Sequence, residues 1–445
     1  MAELTFIDMF SGCGGMALGL LKAKWRGLLA IEKNPMAFRT LKENLITKES
    51  TDTRLNWPTD VPCEPLAIED LLAGGLSRLM RRYRDGIDLL SGGPPCQGFS
   101  FSGKRKQNDS RNRLIEIYAH LALELRPKLL LLENVPGIQI PHGTKRQRAT
   151  NPRRRGRPRK SYAQKLAELL EEEYLFFSGI IDAADFGVPQ HRRRYFGVGI
   201  RRSLLPHPTI ASKGRAIDKC GIEFLIDPFQ ILEENRLSFL RDRKLNLRVS
   251  AEDAIGDLSS SNDGAHETTR WCLDPESPKG FLELAYVPSE SQMQTAFVCL
   301  MRHRLNGDVP DSLRLARHSS DVKKRFSLIL DNCPKGVQLS NAMRAKYSTE
   351  KQRIIPLCPH KPAHTLTTLP DDLIHYKFPR TLTVREYARL QSFPDDFKFV
   401  GKYTTGGKQR RYQCPRYTQV GNAVPPLMAE AWGLTLARLL KLIES

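Results

Sequence analysis

The sequence predicts an α/β protein, a doubly wound sheet joined to a smaller, irregular domain. Three observations predict it. Short apolar segments alternate with amphipathic stretches through the first 200 residues. Periodicity weakens from about Leu204 to Leu373, where turns are frequent. It sharpens again near Arg380, and Pro425-Pro426 opens a last helical stretch reaching about Ile443.

The elements follow in order. Leu4 to Met9 reads as a buried strand, Ser11-Gly12-Cys13-Gly14-Gly15 as a tight turn, and Met16 to Lys24 as a helix. Gly27 to Ile31 is a second strand ending at Glu32, and Asn34-Pro35 is an N-cap and N1 pair for the next helix. Ile87 to Ser91 is a third strand, running into Gly92-Gly93-Pro94-Pro95-Cys96-Gln97. A polar, basic loop continues through Asn112, followed by a helix over Leu114 to Leu125. Lys128 to Leu132 is a strand ending in Glu133-Asn134-Val135. Ser161 and Gln164 form a capping box for a helix to about Glu173. Leu175 to Ile181 and Tyr195 to Ile200 read as two more strands, and Thr383 with Glu386 caps a helix to about Gln391.

Composition bounds the function. The chain has 445 residues, 40% hydrophobic and 27% charged, which excludes global disorder and fits two or three domains. No apolar run approaches the ~20 residues that cross a bilayer. The start, MAELTFIDMF, does not read as a signal peptide. None of the nine cysteines forms a CxxC pair, which speaks against a zinc ribbon and for reduced thiols in the cytoplasm. The net charge of +20 favours a polyanionic partner, nucleic acid first. Residues 145–160 carry nine basic side chains and no acid, and without them the chain would still hold +11. Within this insertion Arg155-Gly156-Arg157-Pro158 resembles an AT-hook, in which two arginines lie along a narrow A·T minor groove. A solvated charged loop is the plainer reading.

Four groups could carry chemistry. A strand, a glycine turn and a helix start form a general site for nucleotide-like ligands, and an acid such as Glu32 at the second strand's end is placed for ribose hydroxyls. The spacing is not GxGxxG, which counts against a dinucleotide. Cys96, at the carboxyl edge of a parallel sheet, reads either as a nucleophile or as a small buried hydrophobe. Glu133 ends the next strand, so the same edge gains a candidate proton donor or a turn-capping carboxylate. Gln190-His191-Arg192-Arg193-Arg194 would start at this edge if the following strand runs antiparallel, with Arg192 and Arg194 on one face.

Taken together these residues resemble the DNA (cytosine-5) methyltransferase family. Phe6 to Gly15 (FIDMFSGCGG) is similar to the family's first cofactor motif, and Pro94-Pro95-Cys96-Gln97 to its nucleophile motif. Phe99 to Gly103 resembles the loop after it, Glu133-Asn134-Val135 the acid motif, and Gln190 to Arg194 the Q-x-R-x-R motif. Arg380 to Phe397 and Gln419 to Pro425 resemble the two motifs that follow the recognition domain. The motifs stand in the family's order over about 1–200 and 376–445.

The resemblance implies a Rossmann-like, S-adenosylmethionine-dependent methyltransferase sheet with a smaller target recognition domain. It divides the chain into a catalytic domain over 1–200, a recognition domain over 201–375 and a returning segment over 376–445. S-adenosylmethionine would rest on Phe10, Ser11, Gly12, Gly14, Gly15, Glu32 and Asn422. Cys96 would add to C6 of a flipped cytosine, Glu133 would engage N3, and Arg192 and Arg194 would orient the base. Ser100, Ser102, Lys104 and Arg105 would meet DNA as their loop closes, with Arg155 and Arg157 as auxiliary contacts. The family's adenine contact is shifted: over Leu66 to Leu71, either Ala67 replaces the acid or Asp70 supplies it. Expected partners are double-stranded DNA and a restriction endonuclease acting on the same site, with the chain a monomer on DNA, no membrane, and a bacterial, nucleoid-associated cytoplasmic location. A tRNA cytosine methyltransferase and a catalytically silent DNA binder are the alternatives.

Overall fold

A computed structural model describes residues 3–48, 51–69, 81–95, 113–141, 160–205, 210–211, 215–217, 223–259, 267–274, 277–286, 295–305, 307–405, 409 and 412–444. Six strands form the central sheet: β1 (Thr5–Met9), β2 (Arg26–Ile31), β3 (Leu89–Gly92), β4 (Leu129–Asn134), β5 (Tyr174–Asp182) and β6 (Arg193–Arg201). Their spatial order is β2-β1-β3-β4-β6-β5. β1 to β4 run parallel, while β6 is antiparallel to both β4 and β5. The carboxyl ends of β1 to β5 and the start of β6 therefore share one edge.

The parallel strands are buried on both faces, which is why they read as continuous apolar runs rather than alternations. In β4, Leu129 and Leu131 face one core and Leu130 and Leu132 the other, all with no exposed surface. α1 (Gly15–Lys22) and α2 (Pro35–Leu45) cover the first face, and α3 (Arg113–Leu125) and α4 (Tyr162–Leu170) the second. Asn34 caps α2 through the N–H groups of Met36 and Ala37, and the Ser161–Gln164 capping box opens α4. α1 is shorter than its apolar pattern: Lys24 turns left-handed at φ 67°, and the chain folds directly into β2. α4 likewise stops at Leu170, three residues before the expected end.

The region after β6 is not uniformly irregular. It holds α5 (Pro228–Asp242), α6 (Ala251–Ile255), α7 (Ala296–Arg302), α8 (Ser320–Asn332) and α9 (Asn341–Lys346). An antiparallel ribbon pairs Thr269–Asp274 with Ser277–Leu284. α5 carried a readable start, since Asp227 caps it and Pro228 occupies N1. It packs on the sheet: Phe229 lies where a side chain at Gly179 of β5 would be, and Arg243 pairs with Glu430 at 2.6 Å. The stretch expected to form the recognition domain thus lends one helix to the layer over the sheet.

The chain then returns through α10 (Val384–Leu390), α11 (Arg416–Asn422) and α12 (Pro426–Glu444). α12 lies against α1 so closely that glycine is required at the crossing. A methyl at Gly19 would sit 2.5 Å from the Pro426 carbonyl oxygen and overlap Ala429, and one at Gly15 would overlap the Val424 carbonyl. Trp432 of α12 is wholly buried between Phe196 and Phe229, with centroids 5.3 and 5.2 Å away.

α10 carries buried arginines that bind distant acids. Arg380, just before it, pairs with Glu267 at 2.6 Å and Glu386 at 2.7 Å. Arg385 pairs with Asp311, and Arg389 with Asp395 and Asp257. Three segments of the region between β6 and α10 are tied to this one helix by charge-assisted bonds.

Candidate active site

The glycine turn after β1 is a backbone cradle. Phe10 and Gly12 are left-handed, at φ 59° and 56°, and Gly14 at 97°. The Ser11 N–H donates to the Ile31 carbonyl (2.9 Å) and its hydroxyl to the Asp8 carbonyl (2.7 Å), which fastens the turn to both strands. A methyl at Gly12 would meet nothing within 4 Å, so space opens beside it. A methyl at Gly14 would press on Leu45 of α2, 2.7 Å away.

Glu32, at the end of β2, accepts from the Gly12 N–H at 2.9 Å and the Asn34 N–H at 2.6 Å. Burial pushes its carboxyl above the usual range, against those two bonds. The Leu66 N–H donates to the Glu32 carbonyl, so 66–69 runs beside this acid, with Ile68 buried. Ala67 lies on that segment half-buried, and Asp70 lies outside the described residues. Beneath the turn, Asp8 is 1% exposed, and its Oδ1 accepts from the Ser91 hydroxyl at 2.7 Å. Burial raises its carboxyl to about 6.

The C-terminal segment closes the cradle from above. The Cys13 thiol meets the Gln419 carbonyl at 3.6 Å, and Gly15 abuts Val424. Between these contacts Asn422, the last residue of α11, is exposed. A methyl at Gly421 would overlap the Thr367 carbonyl, so the Thr365-Leu366-Thr367 segment rests directly on this turn. Burial pushes the Cys13 thiol up, and the Cys414 thiol up to about 12, so both stay protonated and poor nucleophiles.

Along the same edge, Glu133 and Arg194 form an ion pair, Nε to Oε1 3.0 Å, with side chains 15% and 12% exposed respectively for arginine and glutamate. The Glu133 carboxylate also borders Gly93, where a methyl would lie 3.4 Å from Oε2. Asn134 donates from Nδ2 to the Pro94 carbonyl at 3.0 Å and so holds the chain that leads to Cys96. The antiparallel course of β6 delivers Arg194 here, since Glu133 pairs with Phe196 in the ladder.

The two arginines, expected on one face, meet different partners. Arg192 is 2% exposed, and its guanidinium donates to the carbonyls of Gly421 (3.0 Å) and Leu366 (3.4 Å). These bonds join the Leu366 segment and the Gly421 turn above the cradle. Arg192 lies one residue before β6. Gln190, quoted in the motif but given no role there, binds the same segment: wholly buried, it accepts from the Leu366 N–H at 3.0 Å and donates to the Leu390 carbonyl at 2.9 Å. The Q-x-R-x-R spacing carried that signal.

Cys96, Ser100, Ser102, Lys104, Arg105, Arg155 and Arg157 lie outside the described residues. Among the described residues no group of His, Cys, Asp and Glu could hold a metal ion, and no helix is long and apolar enough to cross a membrane.

Residues 4–438 match the family model of the C-5 cytosine-specific DNA methylases. Among curated relatives, the type II methyltransferase M.DdeI of Desulfomicrobium norvegicum is 28% identical over 96% of this chain and 87% of its own length. M.XorII of Xanthomonas oryzae is 26% identical over 98% and 85%, and M1.HphI of Haemophilus parahaemolyticus 28% over 96% and 85%. A prophage-encoded DNA modification methyltransferase from Escherichia coli has a solved structure with the same fold. It gives a TM-score of 0.62 at 23% identity and covers 99% of this chain and 100% of its own.

Proposed function

Because the chain belongs to the C-5 cytosine-specific DNA methylase family, it is a DNA cytosine-5 methyltransferase, and we propose that it acts on a cytosine flipped from the duplex, with Cys96 as nucleophile. The observation that carries this reading is the Glu133–Arg194 pair, held on the strand edge beside the chain leading to Cys96. A stacked base shields C5 and C6, so the target must leave the helix to reach such a site.

The Cys96 thiolate adds to C6 and the ring's electron density moves toward C5 and N3. Glu133 hydrogen-bonds or protonates N3, which lowers the barrier to that addition. Arg194 fixes the Glu133 carboxyl and faces the base's carbonyl oxygen. C5 then takes the methyl group, loses its proton to solvent, and the S–C6 bond breaks to restore Cys96.

S-adenosylmethionine supplies an electrophilic methyl on a sulfonium. The open space beside Gly12, the left-handed turn and the buried carboxylate of Glu32 fit a nucleoside whose ribose hydroxyls donate to Glu32. Phe10, Ser11, Gly14 and Gly15 shape that cradle, and Asn422 stands exposed at its rim. We divide the chain accordingly: catalytic sheet over 1–200, recognition region over 201–375 that also lends α5 to the sheet, and the return over 376–445. Type II relatives suggest a cytoplasmic modification enzyme whose partner endonuclease cuts the same sequence.

Bisulfite-type sequencing of a plasmid recovered from expressing cells tests the proposal. Protected cytosines at one short recurring sequence are expected with wild type and none with Cys96→Ser, which should keep its affinity for duplex DNA. Protection that survives Cys96→Ser would remove Cys96 from the mechanism.

A further inference from the structure

We propose that the two-helix lobe of residues 319–354 enters the DNA major groove, with Asn341 on α9 reading an adenine edge and Lys323, Lys324 and Lys346 holding flanking phosphates. This rests on the reading of the chain as a methyltransferase of duplex DNA.

Among the described residues of the recognition region, two elements expose unusual surfaces. One is the ribbon, with Trp271 and Leu273 58% and 78% exposed. The other is the lobe, built from α8 and α9. Charge decides between them. Residues 267–284 of the ribbon carry two basic and four acidic side chains, whereas residues 319–354 carry eight basic and three acidic. Duplex DNA presents one negative charge per ~1.7 Å of its axis; the ribbon spends Glu267 on Arg380 and Arg270 on Glu283 and so offers no cationic surplus, whereas the lobe does.

The lobe is built to hold a reading helix rigid. It has a small core of its own, in which Phe326, Ile329, Tyr347 and Ile354 are buried. α9 is capped by Ser340 and leaves Asn341, Ala342, Ala345 and Lys346 exposed, while its half-buried Met343 packs against the lobe's core. A single helix of this kind fits the major groove, and asparagine is suited to the adenine N6 and N7 pair. The Arg344 guanidinium donates to Asn341 Oδ1 at 2.5 Å and to the Lys351 carbonyl at 3.2 Å, which fixes the amide before any ligand arrives. Lys323, Lys324 and Lys346 are exposed.

The lobe is also tied to the catalytic edge. The Arg353 guanidinium donates to the Thr365 carbonyl at 2.8 Å, and the Thr365 hydroxyl to the His191 carbonyl. His191 lies three residues before Arg194. A base read by α9 is thereby held at a fixed offset from the cytosine at Glu133.

The test maps methylated cytosines for wild type, Asn341→Ala, the triple variant Lys323→Ala/Lys324→Ala/Lys346→Ala, and Trp271→Ala as comparator. Salt titrations of binding to a duplex carrying the wild-type site accompany the maps. Asn341→Ala should relax the pattern at one A·T pair, with discrimination there falling roughly ten- to a hundredfold. The triple variant should keep the pattern while its salt slope falls by about 2 to 3. Trp271→Ala should leave both unchanged. A wild type that marks no cytosine overturns the DNA reading and the lobe's role with it. A normal wild-type pattern carried unchanged by Asn341→Ala, with an unchanged slope in the triple variant, overturns the lobe alone. So does a shifted pattern in Trp271→Ala beside an unshifted one in Asn341→Ala.

Discussion

At single residues, the site pairs charges that depend on burial. Glu133→Gln keeps a hydrogen-bonding group beside Arg194 but cannot deliver a proton or match the guanidinium charge. Its kcat is expected to fall about 10²- to 10⁴-fold with little change in KM for DNA, measured as tritiated methyl incorporation. A fall confined to KM would assign Glu133 to binding alone. Asp8 makes a different prediction. Burial lifts its carboxyl to about 6, so the folded state favours the protonated form. That contribution is complete below the usual carboxylate pKa near 4 and is lost as pH rises through 6. Asp8→Asn should therefore be more stable than wild type at pH 8, by about 1–3 kcal/mol, and gain nothing at pH 4. Urea unfolding at the two pH values checks this, and an equal difference at both would show that Asp8 does not titrate there. His375, which burial pushes down to about 3, loses stability as pH falls below about 6.5. It does so in both proteins and cancels in the comparison.

At the level of elements, the crossing of α1 and α12 carries the most weight. Gly19 meets Ala429 and the Pro426 carbonyl with no room for a methyl, and backbone cannot move aside as a side chain can. Gly19→Ala should destabilise by about 1–3 kcal/mol through overpacking, read as a lowered thermal midpoint. A midpoint equal to wild type would mean that the helices separate freely. The same crossing sets the height of Val424 over Gly15, so cofactor affinity should weaken in parallel. This contact was hidden in the sequence, because 410 residues separate Gly19 from Ala429 and nothing local announces their meeting. The caps were different: Asn34-Pro35, Ser161–Gln164 and Thr383–Glu386 are local hydrogen-bond patterns, and each opens its helix where it was read. Asp227-Pro228 was equally local and went unread because the turns around it suggested irregular chain.

For the whole molecule, charge governs the encounter with DNA. Residues 145–160 hold nine of the basic side chains, close in sequence to Glu133. Deleting them should weaken binding to non-specific duplex and flatten its salt dependence, because fewer counterions are released. Electrophoretic shifts across a salt series measure this, and an unchanged slope would leave the insertion with no part in DNA contact. The remaining surplus is then carried in good part by the lobe of 319–354.

Local chemistry made the strand-end acids, the glycine turn and the motif order legible from residues alone, since each depends on neighbours a few positions apart. The antiparallel course of β6 was left open there, and it is what brings Arg194 to Glu133. The different partners of Arg192 and Arg194 were not legible, because the carbonyls of Leu366 and Gly421 are contributed from far along the chain. The pairing of the buried arginines around α10 was not legible for the same cause: their partners Glu267, Asp311 and Asp257 lie 74 to 132 residues away. Short-range patterns specify which element forms. Which elements meet is set by long-range packing and by where buried charges find their counter-ions.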